Sequence, residues 1–184
     1  MRLTAIALAL ALAWLAGPPA AADQTNPRLD KLFEQLRSAE DPVYAQLVQG
    51  RIWSLWFEHD DPQIQELMDQ GRAAMDAQRF DEALELFDEV IERDPNYAEG
   101  WNRRATLHYL TGRFEKSLAD INKVLALEPR HFGALSGRGL VLTQLDRLHD
   151  AIEAFRAALA VNPHMQSARV NIEHLREVLE KREI

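Results

Sequence analysis

Six histidines and 29 carboxylates are the residues of this chain best equipped for proton transfer or metal binding. Their spacing supports neither. His59, His108, His131, His149, His164 and His174 never fall one helical turn apart. A helical zinc site needs such a pair, or cysteines beside it, and the sequence has no cysteine. That also excludes disulfides, a thiol nucleophile and a lipidated cysteine. The acids fall on the polar sides of helical patterns, and there is neither a phosphate-cradling glycine loop nor a Gly-x-Ser-x-Gly turn. The expected protein is therefore not an enzyme and carries no cofactor and no metal. Non-covalent chemistry remains. Arg104 and Arg138 are expected to run their stems along the core and pair with Asp88, Asp120 or Glu115. Trp53, Trp56 and Phe57 read as core; exposed, they would mark a partner surface.

Composition narrows the partners. The 184 residues are 47% hydrophobic and 27% charged, as in a folded globular chain. The net charge of −8 argues against nucleic acid, whose phosphates require a basic footprint, and against an anionic membrane surface.

The elements that must position these groups are punctuated by proline. Pro95, Pro129 and Pro163 stand 34 residues apart. Between them Phe87, Ile121 and Phe155 recur in register, as do Ile91, Leu125 and Leu159. Small residues recur at Gly71, Ala105 and Gly139 and again at Ala83, Ser117 and Ala151, and large apolar ones at Leu67, Trp101 and Leu135. One position solved three times with one size class marks a stacked array in which each unit buries its face on the next. Each unit is predicted to be two antiparallel helices, at 63–77 and 81–93, 97–111 and 115–127, and 132–145 and 149–161. Gly112 ends the first helix of the middle unit. Asp81, Glu82, Glu115 and Asp150 open the second helices, at the positive end of the dipole.

This order of large apolar, small, small, aromatic and proline resembles the tetratricopeptide repeat (TPR) family. Three full repeats fit, at 64–97, 98–131 and 132–165. The usual Leu-Gly pair is replaced by Gln70-Gly71, Arg104-Ala105 and Arg138-Gly139. The stretches 100–106 and 132–137 resemble, more narrowly, small exported bacterial TPR proteins. The resemblance implies an all-α fold, a right-handed TPR α-solenoid of antiparallel helix pairs. It also implies a concave groove, lined by the first helix of each repeat, that holds a protein or peptide. Mapped residue by residue, that groove contains Met68, Arg72 and Met75, then Asn102, Arg103, Thr106 and Tyr109, then Ser136 and Leu140. Adaptable methionines and mixed hydrogen-bonding groups suit an extended peptide or a partner helix. The Lys, Asn and Arg set with which some members clamp a C-terminal carboxylate is not met, because Gly133 and Gly137 occupy two of its positions. Arg72, Asn102 and Arg103 remain as a weaker carboxylate set. The expected function is a non-enzymatic scaffold for the assembly of envelope proteins. The alternative is a self-assembly module, a homo-oligomer formed through the apolar N-terminal hairpin.

The flanks complete the organisation. Residues 1–22 read as a secretory signal peptide: Arg2, an apolar run over 3–16, the break Gly17-Pro18-Pro19, and Ala20-Ala21-Ala22 for cleavage. The run is shorter than the ~20 residues of a spanning helix, so no stable membrane insertion is expected after cleavage. The expected location is the periplasm, with an uncleaved, membrane-anchoring leader as the alternative. Residues 23–61 form a tether and a TPR-like helical hairpin, started at Asp41-Pro42, that is expected to cover the open end of the first repeat. Residues 62–165 carry the repeats, and 166–184 form a C-terminal capping helix with Ala168, Ile172, Leu175 and Leu179 on one stripe.

Overall fold

The computed structural model describes residues 23–182; the leader expected at 1–22 lies outside them. After a short 3-10 turn at Asp23–Thr25, the helices are α1 (Arg28–Ser38), α2 (Pro42–Phe57), α3 (Pro62–Asp76), α4 (Phe80–Arg93), α5 (Ala98–Leu110), α6 (Phe114–Leu127), α7 (Phe132–Gln144), α8 (Leu148–Val161) and α9 (Gln166–Arg182). The pairs α3–α4, α5–α6 and α7–α8 are the three repeats, and the fold is an all-α TPR solenoid. Asp41 and Asp61 start their helices as side-chain caps. Their carboxylates accept the N–H groups of Val43 (2.9 Å) and Gln63 (2.8 Å), with proline next in the chain.

Each repeat turns between its helices on one left-handed residue: Gln78 (φ 58°), Gly112 (φ 71°) and Asp146 (φ 57°), again 34 apart. The next N–H reaches back to the end of the first helix, from Arg79 to Ala74 O, Arg113 to His108 O and Arg147 to Leu142 O. This is the 6→1 closure of a helix C-terminus. Only Gly112 announced it in the sequence; Gln78 and Asp146 take the same conformation with a side chain attached.

The repeat core is set by a size exchange. Phe87 and Phe155 are fully buried, and a Cβ on Gly71 or Gly139 would stand 2.5 or 2.6 Å from their rings. In the middle repeat the smaller Ile121 faces Ala105 instead. Leu67, Trp101 and Leu135 are only half-buried, in matching places on the flank of the stack; the Trp101 indole N–H donates to Pro95 O at 2.9 Å. α9 buries Ala168, Ile172 and Leu175 against α8, leaves its other side in water, and ties Arg182 to Asp146 at 2.8 Å.

The N-terminal hairpin departs from expectation. It does not close the end of the first repeat. It lies lengthwise, and its core of Leu29, Phe33, Leu36, Val48, Ile52 and Trp56 includes Phe132 of the third repeat, with Val161 and Met165 packed at its edge. The physical reason is that α2 has no polar side, so it can bury one flank on α1 and another on the solenoid.

Replacing Gly139 with Leu should cost about 1–3 kcal/mol, because the ring of Phe155 has nowhere to go. Gly50→Ala should gain about 1 kcal/mol from helix propensity, since nothing lies within 4 Å of its Cβ. Urea unfolding of both variants checks the pair; a harmless Gly139→Leu would break the size-exchange account.

Candidate functional site: a concave face crossed by its own hairpin

The three turns that close the repeats, two leading to the next repeat and the third to α9, are built alike. Asp94, Glu128 and Asn162, 34 apart, each accept the N–H two residues on, from Asn96, Arg130 and His164. The hairpin docks on all three. His59 Nε2 meets Asp94 at 3.0 Å. Arg130, held by Glu128, also reaches Asp30 at 2.6 Å and covers the Phe33 ring. Asn162 donates to Gln49 at 2.8 Å, and His164 Nε2 lies 3.0 Å from Leu36 O. Tyr97 adds a hydroxyl donated to Phe57 O at 3.0 Å, and Gln24 bonds the backbone of Asn96 and Ala98.

Where the hairpin meets the groove the contact is aromatic. Trp56 stacks on His131 with centroids 4.0 Å apart and planes 9° apart. Trp53 meets His131 and Phe132 edge-on at 5.3 and 5.5 Å. Its ring fills the space above Gly133, where a Cβ would stand 2.5 Å away. Behind them sits Glu99, 1% exposed. Its carboxylate accepts from Arg103 Nε (2.8 Å), Asn102 Nδ2 (2.9 Å) and His131 Nε2 (3.1 Å). His131 Nδ1 accepts the Ala134 N–H at 3.0 Å, so the ring proton must sit on Nε2 and point at Glu99. Arg103 is further capped by the Phe57 ring at 4.4 Å.

The expected groove residues therefore divide. Met68 is buried in the core of the first repeat and lines nothing; Met75 packs half-buried against the same core. Arg72 is paired with Asp69 at 3.0 Å, and Asn102 and Arg103 are held by Glu99. Ser136 is half-buried and does not line the small cavity of about 90 Å³ on this face. Asn102, Thr106, Tyr109 and Leu140 do come together there, between α5 and α7, around about 90 Å³ floored by Ala105, Ile121 and Val141. Gly137 borders it, and a Cβ there would find only Ile121, at 3.7 Å. Nothing in the spacing of Glu99 and Gly133 showed that one anchors and the other admits the hairpin.

On the outer side Arg104 behaves as expected. It grips Asp120 through two nitrogens at 2.8 Å and Asp88 at 2.7 Å, and these carboxylates, Asp120 foremost, hold its pKa above the ordinary value. Arg138 does not. It is exposed and, among the described residues, has no carboxylate partner, because the positions equivalent to Asp88 and Asp120 are Asn122 and Ala154. His108 is 5% exposed and its Nδ1 finds no partner. Burial pushes its pKa below 6.5 despite Asp120 nearby, and Arg104, Arg113 and Lys116 push the same way as burial. Among the described residues no group of three or more His, Asp or Glu is placed to hold a metal ion, and no helix is long and apolar enough to cross a membrane.

Comparison with known proteins agrees with the fold. The tetratricopeptide repeat pattern matches residues 68–127 and 111–168. A TPR repeat-containing protein of Rhizobium etli is 37% identical over 159 residues, 86% of this chain and 78% of that protein. Mouse DnaJ homolog subfamily C member 3 is 27% identical over 106 residues, 58% of this chain but 21% of the relative. Among solved structures, the first TPR of Spaghetti (RPAP3) bound to HSP90 peptide SRMEEVD superposes with a TM-score of 0.63 at 22% identity, covering 65% of this chain and 96% of that one. The Sgt2 TPR domain of Aspergillus fumigatus gives 0.63 at 20% identity, over 67% and 83%.

Two outcomes follow. Trp56→Ala should cost about 3–5 kcal/mol and expose the hairpin to limited proteolysis between α2 and α3; an intact hairpin in that variant would show that the stack is not its anchor. Because the folded protein keeps His108 neutral, the unfolded chain binds its proton first as pH falls below about 6.5. Stability contributed by the neutral ring is thus present above that pH and lost below it. His108→Gln should show a smaller loss of urea midpoint on acidification than the parent, and an equal loss would exclude the effect.

Proposed function

The chain belongs to the tetratricopeptide repeat family, and on that premise we propose that it is a non-enzymatic scaffold that holds a polypeptide segment on the open part of its concave face. The observation that carries this is the cavity between α5 and α7. It is apolar at the floor and polar at the rim, where Asn102 and Thr106 sit, and Leu110 (55% exposed) and Leu140 (36% exposed) stand uncovered on the same face. Such a site receives the end of one aliphatic side chain.

The ligand of the Spaghetti structure, SRMEEVD, is acidic. In this chain Arg103 and Asn102, which would meet a carboxylate, are already engaged by buried Glu99, and Arg72 keeps only an exposed pair with Asp69. The partner proposed here is therefore read by an apolar anchor rather than by a terminal carboxylate. We place the scaffold in the bacterial periplasm, serving envelope assembly. The support is the composition of residues 1–22, an apolar run with one basic residue and a small-residue cleavage site.

A random peptide library selected on the purified protein tests the groove. Selected peptides should share one large aliphatic residue, and Gly137→Leu, which fills the cavity from its own rim, should weaken them by at least about tenfold. Selection of acidic C-termini instead, or full binding to Gly137→Leu, would overturn the reading.

A further inference from the structure

The groove leaves the outer side of α2 unexplained. Pro42–Phe57 carries one charge, Arg51, and its polar residues Gln46, Gln49, Arg51 and Ser54 are spread round the helix rather than gathered on one side, so that it is apolar on balance. A helix of that kind belongs in a covered setting, yet Val43, Tyr44 and Leu47 are 74%, 39% and 51% exposed. These three knobs occupy the N-terminal half of the outer face. The C-terminal half is hollow. Nothing lies within 4 Å of a Cβ on Gly50, the Ser54 hydroxyl turns back to Gly50 O at 3.1 Å, and beside them a cavity of about 540 Å³ opens between α1 and α2 over Leu32 and Leu55.

We infer that this face pairs with the same face of a second copy, antiparallel about a twofold axis. Val43, Leu47, Gly50 and Ser54 follow one another by four, three and four residues, the seam of two packed helices. In an antiparallel pair with its axis between residues 48 and 49, Val43 stands opposite Ser54 and Leu47 opposite Gly50. Both contacts match large with small, and the twofold makes each twice. The twofold also sets each copy's knobs over the other's cavity, which is the self-complementarity a closed dimer requires. Charge runs the same way. Glu40 and Asp41 flank the knobs, whereas Arg28, Lys31 and Arg51 rim the cavity with Glu58 as the one acid. A parallel pair would set knob on knob and acid on acid. A 16-residue helix offers a seam about 24 Å long, so the dimer dissociates on dilution. The pairing does not use the concave face, and its failure leaves the groove reading intact.

The test uses the full chain, purified as its producing cell delivers it. Sedimentation velocity across concentration should show a monomer–dimer equilibrium, and Gly50→Leu should weaken it by at least about tenfold. Gly50 is exposed, so circular dichroism should show that variant folded. The chain has no cysteine, so introduced ones report alone: Val43→Cys mixed with Ser54→Cys should give a disulfide-linked dimer on mild oxidation, and neither variant by itself. A monomer at every concentration, a dimer indifferent to Gly50→Leu, or a covalent dimer from Val43→Cys alone would each overturn the inference.

Discussion

A carboxylate without water must be compensated where it stands, and Glu99 is compensated by three donors from two places. Asn102 and Arg103 come from its own helix, and His131 is the residue that caps α7, the first helix of the third repeat. His131 can serve only with its proton on Nε2, which the Ala134 N–H enforces from the other side. Once fixed, the imidazole offers a flat face, and Trp56 lies on it. The same buried charge thus joins the second repeat to the third and the hairpin to both.

That arrangement alters what a TPR groove does in this chain. In an array of three repeats each unit touches its neighbours only; the hairpin adds contacts with the turn that closes each of the three repeats. Its cost is the part of the concave face that Trp53 and Phe57 cover. Arg103 and Asn102, the groups most able to meet a foreign carboxylate, are satisfied internally, and Trp53 stands where the low wall at Gly133 would have left space. What remains open lies toward the C-terminal ends of α5 and α7, where Tyr109, Leu110 and Leu140 are.

The repeats were legible because each position is answered three times. Even the exception reads correctly afterwards: glycine at 71 and 139 goes with phenylalanine at 87 and 155, and alanine at 105 with isoleucine at 121. The same register shows why Arg104 pairs and Arg138 does not, since the acids at 88 and 120 become Asn122 and Ala154. Local turn chemistry was half legible. Gly112 announced a left-handed residue, while Gln78 and Asp146 adopt one because the closing hydrogen bond of the helix end outweighs their modest steric penalty. Met68 was misplaced because a groove position and a core position lie one helical step apart, and its flexible side chain turned inward.

The hairpin was illegible for a different reason. Amphipathic periodicity tells which side of a helix is buried only when some side is polar. α2 has no polar side, so its pattern gave burial without direction, and the contacts that supply direction join residues 32 to 128 positions apart: His131 with Glu99, Asp94 with His59, Asn162 with Gln49, His164 with Leu36. None repeats, so no register exposes them. The same absence of a polar side is what leaves Val43, Tyr44 and Leu47 uncovered once α1 and the solenoid have taken their share. A helix apolar enough to lie between two layers has one flank more than this fold can bury, and that flank is the one the proposed pairing of two copies would cover.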